Sequence, residues 1–144
     1  MATTSALKQV LADTYALSLK TQNYHWNVTG MHFKTLHVMF EEQYDELAEA
    51  VDEIAERIRA LGAKTPASFS KFSALTTIKD GNEEASARAM LEDLVVGHEH
   101  VVAALLQAKT TAAQNNDDVT EDIMIARLNA HQKTLWMLRA TLAN

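Results

Sequence analysis

Two pairs of potential metal ligands repeat along one stretch of this sequence. His37 and Glu41 are four residues apart, and Asp52 and Glu56 repeat that spacing. On a helix, side chains four residues apart lie on the same face and can bind one ion together. All four fall within an arc of about 100° around the helix axis. The spacing therefore predicts two pairs of ligands on one face of a long helix.

These two pairs are too far apart to share a metal ion within one chain. Their midpoints are separated by about 15 residues, or about 22 Å along a helix. A second copy of the helix, antiparallel and related by a two-fold axis between the pairs, would set His37 and Glu41 of one chain against Glu56 and Asp52 of the other. This arrangement predicts two identical metal sites per dimer.

An ordinary solvated acidic face is the simpler interpretation, and it fits poorly. Residues 38–56 hold eight acids and no Lys or Arg, so like charges repel and the usual salt bridges between successive turns are missing. Ala48 and Ala55 lie on the same arc as the ligands, which suits the close approach of another backbone. The pattern favours a metal-binding interface.

The same helix carries an apolar stripe on its other side, which predicts a core-facing surface. We expect the helix to run from about His32 to Leu61, with Gly62 as the residue that ends it. The stripe recurs at steps of three and four residues and consists of Leu36, Phe40, Leu47, Val51, Ile54, Ile58 and Leu61.

The first helix is expected over about Thr4 to Val28, with Thr4 or Ser5 as its N-cap. The short turn at residues 29–31 predicts an antiparallel hairpin, so His25 can reach the His37 end of the second helix. Its neighbour Trp26 has two interpretations: an amphipathic aromatic residue at a helix end, or an electron donor beside a redox metal.

The remaining chain predicts two more long helices. The polar stretch after Gly62 reads as a long crossover with a short helix at Phe69 to Leu75, so the third long helix, about Glu83 to Gln114, runs parallel to the second. The fourth begins after a cap at Asp117 or Asp118 and ends near Leu142. The fold class is all-α, a ferritin-like four-helix bundle with a long crossover, and residues 1–144 form a single domain. Further core positions are expected at Leu7, Val10, Leu11, Leu17, Tyr24, Met90, Leu94, Val101, Leu105, Ala108, Ile123, Leu128, Leu135, Trp136 and Leu138.

The other histidines do not suggest a second metal site. His32 is expected at the helix start or surface, and His98 and His100, two residues apart, face different ways on a helix. His131 is expected at the surface or an interface. An acidic group opens the fourth helix, where acids favour the helix N-terminus; the alternative is a passage for cations at a symmetry axis. It consists of Asp117, Asp118, Glu121 and Asp122.

Composition limits the functional classes. The 144 residues, 47% hydrophobic, suffice for one core, and the absence of cysteine excludes disulfide and thiolate chemistry. No signal peptide or membrane span is recognised, so a cytoplasmic protein is expected. There are 19 acids and 13 Lys and Arg; eight acids lie in residues 38–56, which leaves 11 elsewhere. A net charge of −6, with no basic arm at either end, argues against binding nucleic acid through overall charge.

With these residues in place, the sequence resembles the Dps family, the miniferritins, along nearly its full length. The resemblance is strongest in LADTYALSLKTQNYHWNVTG, in HFKTLHVMFEEQYDELAEAVDEIAERIRALG and in the terminal HQKTLWMLRATL. The order and separation of HWNVTG, LH and FEEQYDELAEAVDEIAER make it specific. It implies a four-helix bundle with a short helix in the crossover, assembled as a hollow dodecamer.

The resemblance also implies a set of site residues, in ferroxidase centres shared across two-fold dimer interfaces. His25 and His37 match the family histidines, and Asp52 and Glu56 match acidic ligands from the neighbouring chain. Glu41 stands where the family has Asp or Glu, with a longer side chain than Asp that changes metal spacing. Trp26 matches a tryptophan beside the centre.

The chemistry implied by the resemblance is oxidation of Fe(II), preferably by hydrogen peroxide, followed by storage of ferric mineral and protection from oxidative damage. Other divalent metals such as Zn²⁺ are expected to occupy the same ligands. Asp117 and Asp122 resemble acids that line the three-fold pore of related proteins. The alternative is a nucleoid-associated, DNA-binding protein with weak or no ferroxidase activity, and this chain lacks the Lys- or Arg-rich extension that such members often use.

Overall fold

Five helices account for the fold. The computed structural model describes residues 2–143, with α1 at Ala2–Asn27, α2 at Phe33–Ala60, α3 at Phe69–Leu75, α4 at Ala87–Gln114 and α5 at Asp118–Leu142. Within that range no strand occurs. The long helices α1, α2, α4 and α5 form the bundle, and α3 lies in the crossover between α2 and α4. The predicted all-α, ferritin-like four-helix bundle with a short crossover helix is confirmed.

The helix boundaries were predicted to within a few residues, with one wrong cap. The first helix begins at Ala2, so the N-cap expected at Thr4 or Ser5 is wrong because both residues lie inside the helix. The helix α4 begins after Ser86 rather than at Glu83, because the Ser86 hydroxyl accepts the Ala89 backbone N–H at 3.1 Å and caps the first turn.

The end of α2 is set by Gly62, as the sequence predicted. Its backbone has φ +96°, a conformation that a residue with a Cβ adopts only with strain. The Gly62 N–H donates to the Arg59 carbonyl at 2.9 Å, and the Ala63 N–H donates to the Ile58 carbonyl at 3.3 Å. These bonds satisfy carbonyls that the helix leaves free.

The bundle is built from two antiparallel hairpins joined by the crossover. In the first, the Ser18 hydroxyl donates to the Tyr44 carbonyl at 3.3 Å, and the later residue His25 of α1 contacts the earlier residue His37 of α2, so the two helices run in opposite directions. In the second, α4 packs against α5 after the turn at residues 115–117. Because the crossover spans the length of the bundle, α4 runs parallel to α2.

The predicted core positions are mostly buried, with four exceptions. Val51 and Ile123 are half-buried, and Leu61 and Trp136 are exposed, with 66% of the Trp136 surface accessible. The predictions of Leu61 and Trp136 as core residues are wrong: Leu61 follows the last residue of α2 as its C-cap, and Trp136 lies on an exposed face of α5. Every other position of the predicted core is buried.

The crossover is fastened to α1 at two points. The buried carboxylate of Asp13 accepts hydrogen bonds from the Thr77 backbone N–H at 2.7 Å and the Thr76 hydroxyl at 2.8 Å. Farther along α1, the Tyr24 hydroxyl accepts the Asn82 backbone N–H of the crossover at 3.2 Å and donates to Asp93 of α4 at 2.5 Å. Burial and this bond to a carboxylate raise the pKa of Tyr24 to about 12. The crossover therefore holds a fixed position beside the end of α1 that carries His25.

A chain of polar side chains crosses the interior of the bundle. Arg127 pairs with Glu46, and His131 and His98 continue the chain into the core, each with 1% of its surface exposed. The prediction of a surface or interface role for His131 is therefore wrong, because Arg127 and His98 provide buried partners. His100 is exposed, so His98 and His100 face different ways, as predicted.

Burial keeps both interior histidines neutral. Desolvation and the nearby Arg127 charge lower the pKa of His98 to about 3. Desolvation, His98 and Arg127 lower the pKa of His131 well below its ordinary value. The unfolded chain therefore binds protons that the folded chain does not bind at mildly acidic pH.

We expect these histidines to leave the free energy of unfolding unchanged above pH about 6.5 and to lower it as pH falls from about 6.5 towards 3. The substitution His98→Gln should make this pH dependence shallower by up to about 1.4 kcal/mol per pH unit. Urea unfolding at several pH values measures the slope, and the exposed His100→Gln is the control. A His98→Gln slope equal to that of the wild type would contradict the expectation.

Candidate metal centre

The hairpin turn between α1 and α2 brings His25 and His37 together. The helix α1 ends at Asn27, Gly30 turns the chain with φ +116°, and the Phe33 N–H donates to the Gly30 carbonyl at 3.1 Å as α2 begins. The two imidazole rings stack with their centroids 3.8 Å apart and their planes 11° from parallel. The pairing of these two histidines, expected from the short turn, is present.

Each histidine orients the other through the backbone. Nδ1 of His25 donates to the His37 carbonyl oxygen at 2.6 Å, and Nδ1 of His37 donates to the His25 carbonyl oxygen at 2.7 Å. Because a carbonyl oxygen only accepts, the proton of each neutral ring lies on Nδ1. The lone pair of each Nε2 is therefore left for a metal ion, the arrangement typical of metal-binding histidines.

Glu41 lies next to this histidine pair. Its Oε1 is 3.7 Å from Nε2 of His25, and about half of its side chain is exposed. Two aromatic rings flank the histidines: Phe33 stacks on His37 at 5.0 Å, and Tyr44 meets His25 edge-on at 5.3 Å. Two imidazole nitrogens and one carboxylate thus lie at one end of α2, with solvent on the open side.

The second predicted pair, Asp52 and Glu56, lies farther along α2 and is also exposed. The two carboxyl groups are close enough that a hydrogen bond from protonated Glu56 to the Asp52 carboxylate, followed by charge repulsion between the two groups, raises the pKa of Glu56. Neither carboxylate forms an ion pair with a described Lys or Arg, and two adjacent carboxylates of this kind form an attractive position for a metal ion. No hydrogen bond or ion pair joins this pair to His25, His37 or Glu41.

The chain therefore carries two half-sites rather than one complete site. Within residues 2–143, no group of three or more His, Asp and Glu side chains is arranged to hold a metal ion. The donor types nevertheless fit iron: imidazole nitrogens and carboxylate oxygens bind Fe(II), and carboxylates stabilise Fe(III). That a second chain joins the half-sites stays a prediction.

Trp26 lies at the end of α1 with 62% of its surface exposed. It lines a groove between α1 and the crossover, together with Tyr15, Leu19, Phe69 and Phe72. Phe69 is 81% exposed. The electron-donor role of Trp26 stays a prediction, and its exposure next to His25 is compatible with either interpretation.

The two acids proposed for a pore at the start of α5 differ in their contacts. Asp117 caps α5: it accepts the Thr120 N–H at 3.0 Å and the Thr120 hydroxyl at 2.6 Å, and it pairs with Arg57 at 2.9 Å. Burial alone would raise the pKa of Asp117, but the hydrogen bonds from Thr120 and Arg57 lower it. Asp122 is exposed and available to solvent. The pore role of Asp117 and Asp122 stays a prediction, and Asp117 already has a structural role.

Sequence reasoning missed three contributors to this region. The backbone carbonyl acceptors that fix the histidine rings carry no sequence signal beyond the short turn. The flanking ring of Phe33 gives no signal either. Arg57, the partner of Asp117, lies 60 residues away in sequence, so only the fold reveals the pair.

Comparison with known proteins finds ferritin-like relatives that match nearly the whole chain. A family model described as a ferritin-like domain matches residues 4–144. The "DNA protection during starvation protein 2" of Bacillus anthracis is 35% identical over 136 residues, which cover 94% of this chain and 93% of the relative.

Two solved structures are similar in backbone as well. A Dps protein from Vibrio cholerae, described as a member of a broad superfamily of ferritin-like diiron-carboxylate proteins, has a TM-score of 0.95 and 32% identity, covering 98% of this chain and 89% of that one. Dps from Listeria innocua, soaked with zinc, has a TM-score of 0.93 and 28% identity, covering 97% and 95%.

The geometry predicts that Zn²⁺, which undergoes no redox change, binds through the imidazole Nε2 atoms. Substitution His37→Ala should weaken Zn²⁺ binding by at least about tenfold, because it removes a ligand that the hairpin has oriented. Isothermal titration calorimetry measures the affinity, and His32→Ala, at an exposed histidine before α2, is the control. Equal affinities for wild type and His37→Ala would exclude this histidine as a ligand.

Proposed function

The chain belongs to the Dps family of ferritin-like proteins, and from this premise we propose that it is a ferroxidase that oxidises Fe(II), preferably with hydrogen peroxide, and stores the ferric product. The observation that carries the proposal is the pair of half-sites on α2. Imidazole ligands are oriented at one end of the helix and paired carboxylates at the other, on the same side.

A second copy of the chain completes each site. With α2 antiparallel to its copy, the histidine half-site of one protomer meets Asp52 and Glu56 of the other, and two equivalent sites form per dimer. Between the half-sites, the small side chains of exposed Ala48 and half-buried Ala55 allow the partner helix to approach closely. The groove that contains Trp26 and Phe69 lies beside this surface and offers apolar area to the same partner. Six such dimers make up the proposed dodecamer.

The proposed reaction takes Fe(II) as its substrate at these shared sites. Hydrogen peroxide accepts two electrons and each Fe(II) gives one, so about two irons are oxidised per peroxide and no hydroxyl radical is released. His25 and His37 hold the iron through neutral nitrogens, and the carboxylates of Glu41, Asp52 and Glu56 balance the added positive charge of Fe(III). Few protein ligands leave room for the oxidant.

Zn²⁺ is expected to compete for the same ligands, since imidazole and carboxylate also suit zinc. When only one iron is bound, the second electron must come from elsewhere, and we propose Trp26, the residue next to His25, as its donor.

We further propose that the ferric mineral collects inside the hollow assembly and that the protein acts in the cytoplasm. The acids of α2 outside the half-sites, Asp45 and Glu49 among them, are exposed and can bind mineral. Asp122, with Asp117, is the proposed lining of the pore through which Fe(II) reaches the interior. Among the described residues, no helix is long and apolar enough to span a membrane.

The name of the Bacillus anthracis relative refers to protection of DNA. Consuming Fe(II) and peroxide together protects DNA without contact, because it removes the reactants that produce hydroxyl radicals. Direct binding is less favoured for this chain, whose net charge of −6 repels phosphate. A nucleoid-associated protein with weak ferroxidase activity remains the alternative function, and the next experiment separates the two.

We expect His37→Ala and Asp52→Ala each to slow peroxide-dependent Fe(II) oxidation by at least about tenfold, because each removes a ligand from the shared site. Ferric absorbance after anaerobic Fe(II) loading and peroxide addition measures the rate. Circular dichroism should show unchanged helical content. Glu92→Ala, which removes an exposed acid of α4, is the control.

Two results would contradict the proposal. Wild-type rates in both variants would exclude the assigned ligands. The DNA-binding alternative would be favoured if the wild-type protein oxidised Fe(II) no faster than buffer without protein and also retarded DNA in a gel, with less retardation at higher salt.

A further inference from the structure

The polar chain inside the bundle links three helices. Arg127 of α5 makes a two-pronged ion pair with Glu46 of α2, and its Nη2 also lies 3.0 Å from Nε2 of His131. Nδ1 of His131 lies 2.8 Å from Nδ1 of His98 on α4. This row of polar side chains is distinct from the histidine pair at the hairpin and has no part in the proposed iron chemistry.

The contacts fix the proton on each ring. Arg127 only donates, so Nε2 of His131 must accept. Neutral His131 then carries its proton on Nδ1 and donates it to Nδ1 of His98. His98, also neutral, must carry its own proton on Nε2. The chain of hydrogen bonds therefore ends in an N–H donor of His98 that points into the protein interior.

That donor and three other buried atoms have no partner within the protein. Across the described residues, the buried side-chain atoms without a hydrogen bond are Nε2 of His98, Nε of Arg127, and both Oε1 and Nε2 of Gln43. Gln43 lies one turn before Glu46 on α2. The contacts of Glu46 with Arg127 and of Arg57 with Asp117 set the register of α2 against α5, and this register places Gln43 level with residues 130 and 131. Because His131 contacts both Arg127 and His98, the three residues that carry these atoms lie at one level near the middle of the bundle, which we call the polar layer.

Buried polar groups in folded proteins are nearly always hydrogen-bonded, to the protein or to an ordered small molecule. We propose that this layer is an internal binding site for a small, uncharged, oxygen-containing molecule, with the hydrogen-bonding chemistry of water or hydrogen peroxide. His98 Nε2–H, Arg127 Nε–H and the Gln43 amide are its donors, and the Gln43 carbonyl oxygen is its acceptor.

The charges of the layer select this class of ligand. Donor hydrogens outnumber acceptor atoms, so the occupant must mainly accept hydrogen bonds. The Arg127 charge is already balanced by Glu46, so a buried anion would add an uncompensated negative charge. A metal ion is excluded because the lone pair of His98 Nδ1 is engaged by His131 and its Nε2 carries a proton. A neutral oxygen acceptor remains.

A crystal structure of the assembled protein, at a resolution that shows ordered water, tests the site directly. We expect an oxygen peak within hydrogen-bonding distance of His98 Nε2 and of at least one atom of Gln43 or Arg127. Apolar atoms packed against His98 Nε2, with no such peak, would overturn the proposal. Soaking the crystals in hydrogen peroxide separates the two ligands: an unchanged round peak identifies water, and an elongated peak identifies peroxide.

Replacing Gln43 by Met, which has a similar shape, gives a second readout that needs no activity. If the amide binds the internal molecule, Gln43→Met removes hydrogen bonds and lowers the Tm of the assembled protein by several degrees. If the amide has no partner, the substitution raises the Tm and its place in the site is refuted. The exposed Gln132→Met is the matched control and should leave the Tm unchanged.

Neutron diffraction should show the His98 proton on Nε2, and a proton on Nδ1 would refute the tautomer argument.

Discussion

The reciprocal hydrogen bonds between His25 and His37 are the constraint on which the candidate site depends. Each ring uses its Nδ1 to hold the backbone of the opposite helix, so the two helix ends and the two rings fix one another. A slip of one residue between α1 and α2 would remove both bonds and the stacking together. The geometry of the ligands is therefore a direct consequence of the hairpin register.

The helix α2 combines a stabilising face with a destabilising one. Its buried stripe includes Leu36, Phe40, Leu47, Ile54 and Ile58, each contributing about 1.5–3 kcal/mol from burial. Repulsion among the acids of α2 opposes folding, at about 0.2–0.5 kcal/mol for each like-charge pair one turn apart. Burial exceeds repulsion several-fold, so the helix can keep a surface that a bound cation would stabilise.

Periodicity was enough to predict the fold, because the apolar stripes and the helix-ending Gly62 are local signals. The short helix Phe69–Leu75 was predicted with its observed bounds for the same reason. The burial of His131 was missed because it depends on a polar chain whose members Glu46 and Arg127 are 81 residues apart. Trp136 was misplaced because an aromatic residue near a core stripe can face either way, and only packing decides.

The candidate site was only partly predictable. Spacing alone identified the two ligand pairs and showed that one helix cannot unite them, and the short turn placed His25 beside His37. The proton positions on the rings required coordinates, because the acceptors are backbone carbonyls. A cap at Asp117 or Asp118 was predicted and is found at Asp117, whereas the pairing of Asp117 with Arg57 depends on the packing of α2 against α5.

The central claim is that each complete site takes its ligands from two chains, and a mixed assembly tests it most directly. Chains carrying His37→Ala and chains carrying Asp52→Ala are unfolded together in equal amounts and reassembled, with each variant alone as the control. In a hybrid dimer, one site combines the intact histidine half-site with the intact carboxylates, and the other lacks both. Random pairing then restores about a quarter of the wild-type rate of peroxide-dependent Fe(II) oxidation. A mixture no faster than the mean of the two variants would contradict the shared site.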